Sequence, residues 1–108
     1  METTSAVPLL AALAQETRLS VFRLLVEQGP EGLAAGLIAE RLAISPATLS
    51  FHLKELTNAG LTQSRQAGRF VIYSANYAAM EGLLSFLTKN CCAGVSCETP
   101  DLRCSAVI

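Results

Sequence analysis

Three of the four cysteines fall within seven residues, Cys91-Cys92-Ala93-Gly94-Val95-Ser96-Cys97, and Cys104 follows seven positions later. The preceding ninety residues contain none. A thiol cluster attached to a thiol-free body has the composition of a soft-ion or redox device. Thiolates select zinc, copper(I) and iron–sulfur clusters over hard cations, and trivalent arsenic and antimony are thiophilic by the same logic. Trivalent arsenic keeps a stereochemical lone pair and takes three thiolates in a pyramid, whereas a closed zinc site takes four ligands in a tetrahedron. Adjacent Cys91 and Cys92 supply two sulfurs, and the intervening Ala93–Ser96 loop can fold back to bring Cys97 as the third. Cys104 would complete a tetrahedron around zinc or cadmium. A redox switch would instead pair Cys97 or Cys104 with one of the adjacent two; a bridge between neighbours Cys91 and Cys92 is strained.

The chain that carries these thiols is 108 residues long, enough for one domain with a modest core. Its 51% hydrophobic content, dominated by Ala and Leu and lacking Trp, suits a compact helical domain. No apolar run approaches the roughly 18 residues of a spanning helix, and the N-terminus has no basic region of a signal peptide. The expected compartment is the cytoplasm, where thiols stay reduced. The formal net charge is −1 and the isoelectric point near 5.7, which does not advertise a polyanionic partner. The distribution differs from the sum. Residues 1–40 carry five glutamates against Arg18 and Arg23, net −3, whereas residues 45–70 carry Lys54, Arg65 and Arg69 against Glu55, net +2. A basic segment in an acidic protein suits a phosphate-facing surface.

Residues 1–5 are expected to fray, with a short first helix opening at Pro8 in its first turn. Leu19, Phe22, Leu25 and Val26 recur at helical spacing from about Thr17 to Gln28, and Gly29-Pro30 ends that segment. Ala34, Leu37, Ile38 and Leu42 form another stripe. Ser45-Pro46 is the clearest helix start in the chain, a favoured cap followed by a favoured first residue. Leu49, Leu53 and Leu56 line one face of the helix that follows, and Gly60 is placed to cap its end. Leu61–Gln66 and Arg69–Ala75 then flank Ala67-Gly68 as a β-hairpin. Asn76 caps a last helix carrying Met80, Leu83, Leu84 and Leu87. The division expected is a domain over residues 1–90 and a cysteine-containing tail over residues 91–108.

Two short helices with a tight link, then a hairpin, describe a mainly α winged helix-turn-helix with a small β-hairpin. The second helix of such a unit enters the major groove. A wheel set on Leu49, Leu53 and Leu56 turns Ala47, Phe51, Lys54 and Asn58 outward, with Thr48, Ser50 and Glu55 on the flanks. Small and hydroxylated residues permit close approach to base edges, Lys54 can meet a phosphate, and Phe51 can touch a thymine methyl or pack on the wing. His52 sits at the edge of the buried stripe, where packing and phosphate contact both remain open. Arg65 and Arg69 flank the hairpin turn, where a wing reaches the DNA backbone or minor groove. The DNA-facing set is therefore Ser45, Ala47, Thr48, Ser50, Phe51, His52, Lys54, Arg65 and Arg69.

The run from Ser45 to Leu61, with Ser50-Phe51-His52-Leu53-Lys54-Glu55-Leu56 leading into Ala59-Gly60-Leu61 and a strand ending Val71-Ile72-Tyr73, resembles the signature of the arsenic-repressor (ArsR/SmtB) family. Leu13-Ala14, Thr17-Arg18-Leu19 and Phe22-Arg23-Leu24-Leu25 resemble its second helix, so the likeness covers roughly residues 8–90. It implies homodimers, joined through the first and last helices, that bind double-stranded operator DNA and release it when an inducer binds. One sensor type in this family carries paired cysteines on the helix before the recognition helix, and Leu33–Leu42 has none. Another binds zinc through His and carboxylates on the last helix, and residues 76–90 offer only Glu81. Cys91-Cys92-x4-Cys97 resembles an arsenite-responsive subgroup whose three-thiol site follows the final helix. The resemblance thus points to As(III) as inducer, with Sb(III) as a close analogue. A zinc, cadmium or lead sensor and a thiol-redox sensor of the same fold are the alternatives. An enzyme is not expected, because the chain has no phosphate-cradling loop and no base near the thiols.

Overall fold

Leu25, Ile38, Leu49, Leu53, Leu56 and Leu61 are withdrawn from solvent into one apolar cluster in the computed structural model, which describes residues 1–94. Helices α1 (Thr3–Leu13) and α2 (Glu16–Gln28) lead into a short strand, β1 (Leu33–Ala34). Helices α3 (Ala35–Leu42) and α4 (Pro46–Asn58) follow, then strands β2 (Thr62–Ala67) and β3 (Phe70–Ala75), and helix α5 (Tyr77–Thr88). A turn over Cys91–Gly94 ends the described chain. The three strands form an antiparallel sheet in the order β1-β3-β2, with Leu33 opposite Tyr73 on one side of β3 and Thr62 opposite Ala75 on the other.

The helix ends follow the capping chemistry of the sequence. Ser45 Oγ accepts from Thr48 N at 3.2 Å, and Pro46 occupies the first turn, where its missing N–H costs nothing. At the far end of α4, Gly60 N donates to Thr57 O at 3.0 Å and Leu61 N to Leu56 O at 3.0 Å. With Gly60 at φ +84°, this is the paired closure of a Schellman motif, sealed by contact between the buried Leu56 and Leu61. The turn between α3 and α4 closes the same way, with Ala43 N on Glu40 O at 3.3 Å and Ile44 N on Ala39 O at 3.1 Å. There the left-handed position is held by Ala43, at φ 55°.

Several sequence expectations are corrected. The first helix starts at Thr3, so residues 3–5 are helical and Pro8 lies in the helix interior rather than its first turn. Proline cannot donate to the Thr4 carbonyl and its ring crowds it, at a point where Thr4 is exposed while Ala6 and Leu9 are buried. The hairpin turn is Gly68-Arg69, one residue later than expected, because Ala67 pairs with Phe70. A positive φ at Gly68 alone is the pattern of a type II′ turn, whose twist matches that of the flanking strands. The third strand was not anticipated. Gly32, at φ +78°, lets the chain approach the Tyr73 carbonyl so closely that β1 can pair with β3. Leu19 and Leu37, assigned above to apolar stripes, are exposed.

Candidate nucleic-acid interface and thiol pair

Burial of Leu49, His52, Leu53 and Leu56 against the core leaves the opposite side of α4 to solvent. Ala47, Thr48, Ser50, Phe51, Lys54, Glu55 and Asn58 are all exposed there. Ser45 and Thr48 are not independent donors: Ser45 Oγ also donates to Thr48 Oγ1 at 2.8 Å, so their hydroxyls form one unit at the helix start. Phe51 is 57% exposed, a large apolar surface for a residue on a reading face. Its ring meets that of His52 edge to face, with centroids 5.3 Å apart and planes at 65°.

His52 is the residue whose placement departs from the DNA-facing set. It is only 9% exposed, and its Nδ1 lies 3.5 Å from Arg18 Nη1 on α2. The ring is turned inward against α2 and backs Phe51 on the outward side of α4. Arg18 itself was not singled out from the sequence. Its Nε donates to the Ala12 carbonyl at the end of α1 at 2.7 Å, so one guanidinium ties α1, α2 and α4 together.

Of the wing arginines, Arg69 occupies the hairpin tip and is exposed. Arg65 pairs across the sheet with Ile72 and sends Nη1 back to the Glu31 carbonyl at 3.2 Å. Its guanidinium is anchored to the loop before β1, so the sheet and that loop hold the wing together. A small cavity of about 110 Å³, lined by Gly36, Pro46, Leu49, Ser50, Leu53 and Tyr73, separates β3 from the start of α4.

The thiols lie elsewhere. Beyond α5, Asn90, Cys92 and Ala93 take positive φ values of 58°, 59° and 58°. Cys91 and Cys92 are exposed, and their sulfurs lie 3.6 Å apart. Cys97 and Cys104 lie outside the described residues, and among the described residues no group of three His, Cys, Asp or Glu side chains is placed to hold a metal ion. The structure therefore brings together two of the sulfurs that the sequence proposes as ligands.

Comparison with known proteins bears on the helix-turn-helix and the wing. A helix-turn-helix domain model matches residues 13–65. The transcriptional activator HlyU of Vibrio cholerae is 31% identical over 87 residues, covering 81% of this chain and 78% of its own. An ArsR-like transcriptional regulator from Rhodococcus superposes with a TM-score of 0.72 at 27% identity, over 96% of this chain and 90% of that one. The chain belongs to the ArsR family of winged-helix regulators. A further similar structure is the homodimeric winged helix-turn-helix DNA-binding domain Mb0332 of Mycobacterium bovis, described as a possible ArsR-family regulator, with a TM-score of 0.64 at 26% identity and 81% of each chain covered. An uncharacterised HTH-type regulator of Bacillus subtilis, YceK, is 41% identical over 58 residues, and the match spans 54% of this chain and 57% of that protein. In ArsR-family terms, α4 is the recognition helix and β2–β3 the wing. No helix among the described residues is long and apolar enough to cross a membrane.

Proposed function

We propose that this ArsR-family chain is a repressor that holds operator DNA as a homodimer and releases it when trivalent arsenic or antimony binds Cys91, Cys92 and Cys97. The observation that carries the reading is the pair of exposed sulfurs 3.6 Å apart at the end of α5. Two thiolates sharing one ion at bonds of about 2.3 Å must stand within roughly 4 Å of each other, and this pair already does. The left-handed backbone at Asn90, Cys92 and Ala93 costs on the order of 1–2 kcal/mol per residue. A ligand can supply the energy to hold or rearrange such a segment. Only a higher affinity for the DNA-incompetent arrangement drives release.

The operator contacts fall to Ala47, Thr48, Ser50, Phe51 and Lys54 on α4 and to Arg69 at the wing tip. The dimer forms through α1 and α5. Val7 and Leu10 on α1 and Leu84 and Leu87 on α5 are exposed one helical turn apart. An apolar groove of about 280 Å³ between α2 and α5, walled by Leu19, Phe22, Val26, Met80 and Leu83, adjoins them. An exposed apolar face of this size suits a self-complementary two-fold contact. Such a dimer presents two recognition helices about 34 Å apart, one turn of DNA.

The test is release of a labelled duplex, selected by the protein from a random-sequence pool, as arsenite is titrated under reducing conditions. Cys91→Ser, Cys92→Ser and Cys97→Ser should each bind the duplex and lose most of the arsenite response. Cys104→Ser should respond as the wild type does, because a pyramidal arsenic has no fourth position. A response lost in Cys104→Ser and kept in Cys97→Ser would instead mark a tetrahedral zinc or cadmium site. Normal responses in all four variants would remove the thiols as the sensor.

A further inference from the structure

Asn76 makes hydrogen bonds in two directions. Its Oδ1 accepts from Ala79 N at 3.2 Å and so caps α5. Its Nδ2 donates to the Gly60 carbonyl at 2.9 Å, and its backbone N–H donates to the Leu61 carbonyl at 2.8 Å. Gly60 and Leu61 are the two residues whose own amides close the end of the recognition helix. One side chain therefore belongs both to the start of α5 and to the end of α4. The next residue extends the grip, since Tyr77 Oη donates to the Val26 carbonyl of α2 at 2.9 Å. The opposite end of α5 lies about 18 Å away for twelve residues at 1.5 Å each. From there the chain runs directly into Cys91 and Cys92.

We infer that Asn76 is the positioning residue through which the thiol end of α5 controls the orientation of the recognition helix. The inference rests on the thiol-sensor reading above. A helix is stiff over this length, so a rearrangement at Cys91–Gly94 that tilts or rotates α5 must be absorbed at its anchored end. There the Asn76 amide cannot follow α5 without either leaving the Gly60 carbonyl or moving it. The residue type is specific to the task. Asp and Ser cap helices about as well as Asn, yet the amide accepts from Ala79 N through Oδ1 and donates to Gly60 O through Nδ2, whereas an ionised carboxylate has no donor and the shorter serine side chain has a single oxygen for both bonds. A residue needed for capping alone would not have to be Asn.

The variant that separates the two jobs is Asn76→Asp, which keeps the cap and loses the donor. The duplex affinity of wild type and variant is measured with and without saturating arsenite, and bound arsenic per protomer is counted after gel filtration. Effector coupling of about 5–150-fold is typical, and the wild type should lose at least about tenfold in affinity when arsenic is bound. Asn76→Asp should bind the same amount of arsenic and hold the duplex without arsenite within about threefold of wild type, yet lose less than about threefold on arsenite addition. Asn76→Ser also caps but carries no amide to reach Gly60, so it should uncouple in the same way and guards against misfolding of the aspartate form. If both variants release DNA as fully as the wild type, Asn76 is a cap and nothing more, and the inference is overturned. A wild type that binds no arsenic, or keeps its DNA when it does, removes the thiol-sensor reading and this inference together.

Discussion

Arg18 reaches His52 across 34 positions of sequence, placing Nη1 3.5 Å from the imidazole Nδ1. A guanidinium can only donate, so the imidazole nitrogen is the acceptor side of this contact. The same arginine donates to the Ala12 carbonyl at 2.7 Å, an acceptor near the end of α1 that would otherwise depend on water. The recognition helix is thus braced from behind by a charge-assisted contact that also fixes α1, and the His52 ring in turn backs Phe51.

Arg18→Met keeps the aliphatic stem and removes both contacts. Hydrogen bonds to charged groups are worth about 1.5–3 kcal/mol, and partial exposure lowers that here. A loss of about 1 kcal/mol is expected, a fall in melting temperature of roughly 4–8 °C for a domain of this size. Operator affinity should weaken several-fold as well. Circular dichroism melting and fluorescence anisotropy check the two effects, and an unchanged melt would show that the brace is idle.

Lys54 and Arg69 are exposed on the recognition helix and at the wing tip. Each phosphate neutralised contributes about 0.9 to the slope of log affinity against log salt. Lys54→Ala and Arg69→Ala should each flatten that slope by about one unit per protomer. Arg65→Ala should behave differently, because Arg65 is engaged with the Glu31 carbonyl. Its affinity should drop through a misplaced wing while the slope changes little. Salt titrations from low to moderate ionic strength distinguish the three, and equal slopes for all would place the DNA surface elsewhere.

Phe51→Ala removes a ring that is 57% exposed, so stability should barely change. Sequence discrimination should fall instead, by about 1–3 kcal/mol at a single base pair if the ring reads a thymine methyl. Binding to the selected duplex and to a scrambled one, measured side by side, reports this. Equal losses on both would identify Phe51 as a packing residue.

Two backbone positions should respond with opposite signs. A methyl at Gly32 would overlap the Tyr73 carbonyl oxygen and stand 2.9 Å from Ile72 Cγ2, at a φ of +78°. Gly32→Ala should therefore cost about 2 kcal/mol or more and loosen β1 from the sheet. Ala43→Gly relieves a left-handed alanine and should stabilise by about 0.5–1 kcal/mol. Chemical denaturation of both variants, with unchanged denaturant slopes, would confirm the assignment.

The helices were legible because their stripes and caps are local: Ser45-Pro46 before α4 and Gly60 after it act on residues within one turn. The two-residue strand β1 was not, since Leu33-Ala34 has no period to read and exists only because Gly32 admits the Tyr73 carbonyl. The exposed side of α4 was visible as the outward side of a wheel. His52 was ambiguous at its edge, and its inward turn depends on Arg18, whose partner lies in another helix. Asn76 was readable as a cap but not as a bridge, because the bond to Gly60 joins elements sixteen residues apart. The adjacency of Cys91 and Cys92 was plain in the chain, whereas the part taken by Cys97 and Cys104 lies outside the described residues.

Among the described residues, Leu83 is the last one buried in the core, and residues 89–93 are exposed. Cys91 and Cys92 therefore follow the last core position of α5 by eight and nine residues. On the proposed sensor reading, detection is separated along the chain from the residues that build the core and α4, so the chemistry of detection can change while the chemistry of reading stays constant. On that reading, evolution, or an engineer building a biosensor, exchanges one analyte for another by rewriting a few residues past α5. The condition is that the replacement still pulls on the same helix.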